Sequence, residues 1–137
     1  MMLMSGRAFF DTNVLIYALA SNDRRAAAAL QLLSVGGVVS VQVLNEFVSV
    51  ARRKLALPWA EVVAALAAIR DLCGSPFALD AAVHDEAVAL ASAHGLNIYD
   101  ALVVSAARAA RCEVLYSEDL QHGRAFDALR IENPFLV

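Results

Sequence analysis

Short apolar runs alternate along this chain with longer segments of helical period, and that alternation narrows the fold more than any other feature. Arg7 to Phe10 is such a run, ending in the polar turn Asp11-Thr12-Asn13 before helically spaced Val14 to Ala20. Asp23 can cap a second helix, Arg24 to about Ser34, and Gly36-Gly37 opens a buried strand, Val38 to Ser40. From Val41 to about Leu55 the apolar positions again follow a helix. Pro58 suits the first turn of a helix over Trp59 to Cys73, which Gly74-Ser75-Pro76 stops. Phe77 to Leu79 reads as a short strand, and Asp80 starts a helix to about His94, with Gly95 where a terminating glycine belongs. A helix from about Tyr99 to Arg111, a strand Glu113 to Tyr116, a loop Ser117 to Gly123 and a final edge strand Leu129 to Ile131 complete the pass. Strands alternating with helices imply parallel pairing, since a helix supplies the crossover that parallel strands need. The expected fold is α/β, a three-layer α/β/α sandwich around a short, mostly parallel sheet, with residues 1–137 forming one domain.

Composition excludes several classes. Hydrophobic residues make up 60% of the chain and charged ones 18%, enough apolar surface to rule out a disordered segment. The uncharged stretch Ala26 to Asn45 is long enough to span a bilayer, but Gly36-Gly37 breaks it and Gln31, Gln42 and Asn45 interrupt it, so no membrane span is expected. Met1 to Arg7 lacks the basic start and apolar run of a signal peptide. Cys73 and Cys112 form no ligand spacing and read as two reduced thiols of a cytoplasmic protein. A net charge of -3 argues against a surface coated in positive charge. The only basic run is Arg52-Arg53-Lys54, which suits either RNA phosphates or the C-terminus of its own helix.

Parallel sheets place ligands at the carboxyl ends of their strands. The polar residues expected there are Asp11 after the first strand, Glu46 on the helix after the second, Asp100 at the start of a later helix, and Ser117, Glu118 and Asp119 after Tyr116. Taken singly, Asp11, Asp100 and Asp119 read equally well as caps or turn residues. Glu46 stands among apolar neighbours, where a charge needs a partner: a cation, or Arg53 two turns on. Carboxylates gathered in one pocket repel one another, and a divalent cation removes the conflict. Without His or Cys companions, such a set favours Mg²⁺ or Mn²⁺ over Zn²⁺. His84, His94 and His122 have no ligand spacing.

Phe9-Phe-Asp11-Thr-Asn-Val14, Asn45-Glu46-Phe47, Tyr99-Asp100-Ala101-Leu102 and Leu115-Tyr-Ser117-Glu-Asp119 resemble, in order, the four signature blocks of PIN-domain ribonucleases, and most closely the VapC-type toxins. The blocks span nearly the whole chain. The resemblance implies a Mg²⁺- or Mn²⁺-dependent endoribonuclease held inactive by a cognate antitoxin. By block position Asp11, Glu46, Asp100 and Asp119 take the acidic, metal-binding and catalytic roles, with Asn13 and Ser117 as supporting polar residues. Glu118 is adjacent to Asp119, and the acid of this block varies in register across the family. The resemblance also implies RNA as substrate, DNA contact only through the antitoxin, and a homodimer, for which the mean hydropathy of +0.58 is an independent reason. Trp59, Phe126 and the tail Pro134 to Val137 are candidate dimer contacts, although a core position is the stronger expectation for Trp59.

Two other acidic-pocket folds fit less well. A dehalogenase-like phosphatase needs a second Asp where Asn13 stands, and a receiver domain needs a lysine after a late strand, whereas Lys54 is the only lysine. A PIN fold that binds without cutting, or a PIN nuclease with no antitoxin, are the remaining alternatives.

Overall fold

The computed structural model describes residues 7–136. Its elements run β1 (Ala8–Phe10), α1 (Thr12–Leu19), α2 (Ala26–Val35), α3 (Val41–Arg53), α4 (Trp59–Cys73), α5 (Ala81–His94), α6 (Ile98–Ala109), β2 (Val114–Tyr116), β3 (Ala125–Phe126) and β4 (Leu129–Glu132). The strand order is β1-β2-β4-β3, with β1, β2 and β4 parallel and β3 antiparallel to β4. This is the helix-rich α/β/α arrangement around a small, mostly parallel sheet that the alternation of runs requires.

The register explains the core. Phe9, Leu115 and Ile131 lie side by side across the three parallel strands, and all three are fully buried. Each contributes roughly 1.5–3 kcal/mol by leaving water. They belong to one apolar cluster that also takes in Phe47 of α3, Ile69 of α4 and Val104 of α6. Backbone bonds continue past the strands: Asp11 N–H donates to Tyr116 O at 3.0 Å, and Ser117 N–H donates to Glu132 O at 3.0 Å. The residues that follow β1 and β2 are therefore fixed by the sheet itself.

Caps fall where short polar side chains precede apolar periods. Ser40 Oγ accepts from Val43 N–H at 3.1 Å, and Asp80 Oδ1 accepts from Val83 N–H at 2.9 Å. Gly95 ends α5 with φ of 68°, a left-handed conformation that favours glycine. Gly37 is required for a different reason: a Cβ there would meet the Phe10 ring at 2.6 Å and Ala8 O at 2.8 Å. The Ala26 to Asn45 stretch is a helix, a glycine break and the next helix, and among the described residues no single helix is long and apolar enough to cross a membrane.

Several expectations need correction. Leu129 to Ile131 was expected at the sheet edge, but β4 lies inside, and the edge is β3, joined to it by a tight hairpin through Asp127 at φ 54°. Val38 to Ser40 is reduced to two parallel bridges, Phe9 with Val38 and Ser40 with Phe77, because α3 starts immediately after Ser40. Asp23 does not cap α2: its carboxylate accepts from Arg25 N–H at 2.9 Å, and the helix begins at Ala26. Trp59 is not in the core. It is 56% exposed at the start of α4, with the Arg52 guanidinium 4.6 Å over its ring, while Phe126 and Phe135 are buried. The expectations for Met1 to Gly6 and for Val137 lie outside the described residues.

Candidate active site

Asp11 occupies the step between β1 and α1 and serves both. Its Oδ1 accepts from Thr12 N–H at 2.7 Å, capping the helix, and its Oδ2 accepts from the Ser117 hydroxyl at 2.7 Å. Only 5% of the residue is exposed. Burial pushes its carboxyl up to about 6, against the two hydrogen bonds that hold it down, and the charges of Asp119 and Glu46 push the same way as burial. A carboxyl so placed stays ionised at neutral pH with little margin.

The segment after β2 is stitched to the segment after β1. Ser117 Oγ, while donating to Asp11, accepts from Asp119 N–H at 3.1 Å. Asn13 spans the same gap: its Nδ2 donates to Asp119 Oδ2 at 3.2 Å, and its Oδ1 accepts from Glu118 N–H at 3.2 Å. Asp119 therefore turns toward Asp11 and Asn13. Glu118 turns the other way, accepting from the Tyr17 hydroxyl at 2.6 Å and from Arg25 at 2.6 Å. Arg25 also forks onto both oxygens of Asp23 at 2.7 Å and lies 4.2 Å over the Tyr17 ring. Burial first, and then the bond to Glu118, push the Tyr17 hydroxyl up to about 12, so it remains a donor.

Glu46 lies on α3 and accepts from Gln42 Nε2 at 3.1 Å. Its carboxyl is raised, first by burial, with Asp100 and Asp119 adding to the rise against the Gln42 bond. Asp100 is raised by burial and then by Asp119. These mutual effects place all four acids in one field, although they stand 35, 54 and 19 residues apart along the chain. Among the described residues none of the four is in an ion pair, and no three His, Cys, Asp or Glu side chains close tightly around a single point.

A comparison with protein families finds a match to the PIN domain over residues 8–127. The chain belongs to the PIN domain family. Comparison with curated proteins finds no match. Among solved structures, this PIN domain is similar to VapC20 of Mycobacterium tuberculosis, described as a Sarcin-Ricin loop cleaving toxin, at 22% identity and TM-score 0.67, covering 82% of this chain and 89% of that one. It is similar to a toxin-antitoxin complex from Klebsiella pneumoniae at 23% identity and TM-score 0.71, covering 95% and 99%. It is also similar to VapBC2 from Rickettsia felis bound to a promoter DNA fragment, at 19% identity and TM-score 0.66, covering 92% and 97%. At these identities the likeness is one of fold.

Within the PIN domain, two of the local roles expected for the acids change. Asp100 is not the cap of α6. Asn97 is, accepting from Asp100 N–H at 2.9 Å and donating through Nδ2 to the Asp100 carboxylate at 2.9 Å. Glu46 is partnered by Gln42 and not by Arg53. Arg52 donates to Leu57 O at 2.9 Å, and Arg53 and Lys54 are exposed at the end of α3. Tyr17, Arg25, Gln42 and Asn97 are the site neighbours that reading the sequence missed. Gln42, four residues before Glu46, and Asn97, three before Asp100, carry readable local signals; Tyr17 and Arg25 meet Glu118 across 101 and 93 residues, where no local pattern exists. A hollow of about 800 Å³ opens elsewhere, among Arg7, Gly37, Cys73, Phe77 and Arg130, and includes none of the four acids.

Proposed function

We propose that this PIN domain is a divalent-metal-dependent endoribonuclease that hydrolyses RNA phosphodiester bonds as the toxin of a toxin–antitoxin pair. The observation that carries the reading is that Asp11 and Asp119 are tied through Ser117 and Asn13 just past the parallel strands β1 and β2, with Glu46 of α3 and Asp100 of α6 near enough for like charge to raise their carboxyls. Carboxylates that raise one another and, among the described residues, are in no ion pair suit an added hard cation. Mg²⁺ keeps several waters and takes one or two carboxylates plus substrate phosphate, so a loose all-oxygen set fits it better than a closed cage.

Asp11 and Asp100 would hold Mg²⁺ or Mn²⁺ directly or through water, with Glu46 and Asp119 completing the shell, holding a second ion or orienting the water. When bound, the ion supplies an acidified water and positive charge for the phosphoryl and leaving oxygens. The Thr12 N–H and the Ser117 hydroxyl hold the two oxygens of Asp11 in a fixed orientation, and Asn13 holds Asp119. Glu118, committed to Tyr17 and Arg25, leaves Asp119 as the acid of its block. Arg52, Arg53 and Lys54 are the nearest basic run on the Glu46 helix and would contact RNA phosphates.

Likeness to a ribosomal-loop-cleaving toxin and to toxin-antitoxin complexes, one of them on promoter DNA, supports an antitoxin partner, with DNA reached only through it. Exposed Val35, Val63 and Leu136 support a homodimer. Two free cysteines suit the reducing cytoplasm where RNA is met. The test is incubation of end-labelled RNA with the purified chain in Mg²⁺, Mn²⁺ or EDTA. New internal ends that need the metal support the reading. Intact RNA in both metals leaves a fold that binds without cutting.

A further inference from the structure

The α3–α4 corner carries chemistry that the four acids do not use. Helix α3 is apolar on the side that holds Val43, Leu44, Phe47 and Ala51, all buried. At 100° per residue, Gln42, Glu46, Ser49 and Arg53 fall within about 60° of one another, a polar stripe on another face. The stripe starts at the site, through Glu46, and ends at exposed Arg53, about 10.5 Å further along the axis at ~1.5 Å per residue. That is roughly the rise of three stacked nucleotides at ~3.4 Å each.

At the end of the stripe the chain turns and presents Trp59. It is 56% exposed, an unusual position for the only tryptophan in a chain this apolar. Its ring is held in place: the Arg52 guanidinium lies 4.6 Å from its centroid, and the same guanidinium donates to Leu57 O at 2.9 Å in the connecting turn. Arg53 and Lys54, the next two residues after Arg52, are exposed and, among the described residues, take part in no ion pair. An indole held by a guanidinium yet 56% exposed, at the corner that also carries two exposed cations outside any described ion pair, suits single-stranded nucleic acid, whose bases stack on aromatic faces while its phosphates are neutralised nearby.

We propose that the α3–α4 corner is an RNA subsite of this PIN domain: Trp59 stacks a base, and Arg53 and Lys54 hold the adjoining phosphates, about three nucleotides from the bond at the acids. The proposal rests on the ribonuclease reading. It assigns part of substrate choice to a surface remote from the carboxylates, favouring unpaired RNA over a duplex, whose bases cannot reach the indole.

Because Trp59 is the only tryptophan, its emission reports on the corner alone. The probe is a fluorescein-labelled single-stranded RNA 12-mer added to the Asp100→Asn chain in Mg²⁺, with binding followed by anisotropy and by tryptophan emission. Saturable quenching that tracks the anisotropy is expected. In the same background Trp59→Ala should weaken binding roughly 5- to 150-fold, and joint Arg53→Ala and Lys54→Ala should flatten the salt dependence by about 1.4 in log–log slope. An otherwise wild-type chain carrying Trp59→Ala should show KM raised with kcat little changed. If RNA binds and the wild type cuts it, yet emission is silent and Trp59→Ala leaves affinity and KM unmoved, the corner is no subsite and the nuclease reading stands. If no RNA is cut or bound by any chain, the nuclease reading itself fails and the subsite with it. Should Trp59→Ala convert a dimer to a monomer while RNA affinity holds, the indole serves a second copy of the chain and the proposal is overturned. A Trp59→Phe chain, which keeps a smaller stacking face, should fall between wild type and Trp59→Ala, and covers the case in which the alanine variant folds poorly.

Discussion

Replacing Asp11 by Asn should stabilise the metal-free protein at neutral pH, and the size of the effect follows from the surroundings of the carboxyl. Its ordinary value is 3.8, and in the fold it is held at about 6. The folded state keeps the proton longer than the unfolded state. The stability tied to this group is therefore complete below about pH 4, lost as pH rises through 6, and absent above it. At ~1.36 kcal/mol per pH unit the loss is about 3 kcal/mol. An amide carries no charge and escapes it. The amide would still accept from Thr12 N–H and could donate to Ser117 Oγ, but that oxygen already accepts from Asp119 N–H. The serine proton then loses its acceptor, a cost of about 1 kcal/mol. The net gain is about 2 kcal/mol, a rise of roughly 6 °C for a chain of this size. Thermal melts in EDTA at about pH 7.5 and about pH 4 should show Asp11→Asn ahead at the first and level or behind at the second. Adding Mg²⁺ at ~100 times its Kd should return about 2.7 kcal/mol to the wild type and little to the variant. An advantage of the same size at both pH values would refute the reasoning, since the gain would then owe nothing to ionisation.

Asp100→Asn should fold normally, because Asn97 still caps α6, while RNA cleavage falls at least ~100-fold if Asp100 supplies on the order of 3 kcal/mol of transition-state stabilisation; equal cleavage would reduce Asp100 to a first-turn residue. Glu118→Ala should cut cleavage by roughly 10- to 100-fold by releasing the loop that aims Asp119, and Glu118→Gln, which can still accept from Tyr17, should recover part of it in the same labelled-RNA assay. Calorimetric titration should show weak Mn²⁺ binding that Asp11→Ala diminishes and no tight Zn²⁺ site; equal Mn²⁺ affinity in both chains would remove Asp11 from the set. Light scattering at micromolar concentration should give a dimer, and a monodisperse monomer would count against any of the exposed residues Val35, Val63 and Leu136 lying in an interface.

Much of the fold is legible because its signals are local. Helix α4 starts at Trp59 and ends at Cys73 as Pro58 and Gly74 dictate, and α5 ends at Gly95 for the same kind of reason. The misreadings occur where tertiary contacts decide. β4 looks like an edge from its length, but its neighbour β3 is two residues long and carries no periodicity of its own. Trp59 is large and apolar, and composition alone sends it inward; a guanidinium over its ring makes an outer position tolerable. The acids were nameable as candidates from different signals: Asp11 and Asp119 from apolar runs that end just before them, Asp100 from its place in the first turn of a helix, and Glu46 only from its apolar neighbours within α3 and the PIN resemblance. What aims them was not. Tyr17 and Arg25 reach Glu118 from the far side of the chain, and Asn97, three residues before Asp100, was read past because Asp100 is itself a good capping residue.

The claim that Asp11 and Asp100, 89 residues apart, serve a common metal site is tested most directly by a double-mutant cycle in the rate of metal-dependent RNA cleavage, using Asp11→Asn, Asp100→Asn and the two combined. Groups that hold the same ion fail together, so a single shared site predicts that the double variant cuts hardly more slowly than the worse single variant. Losses that multiply, the double variant falling by the product of the two single losses, would show that Asp11 and Asp100 act independently and would contradict a common metal site.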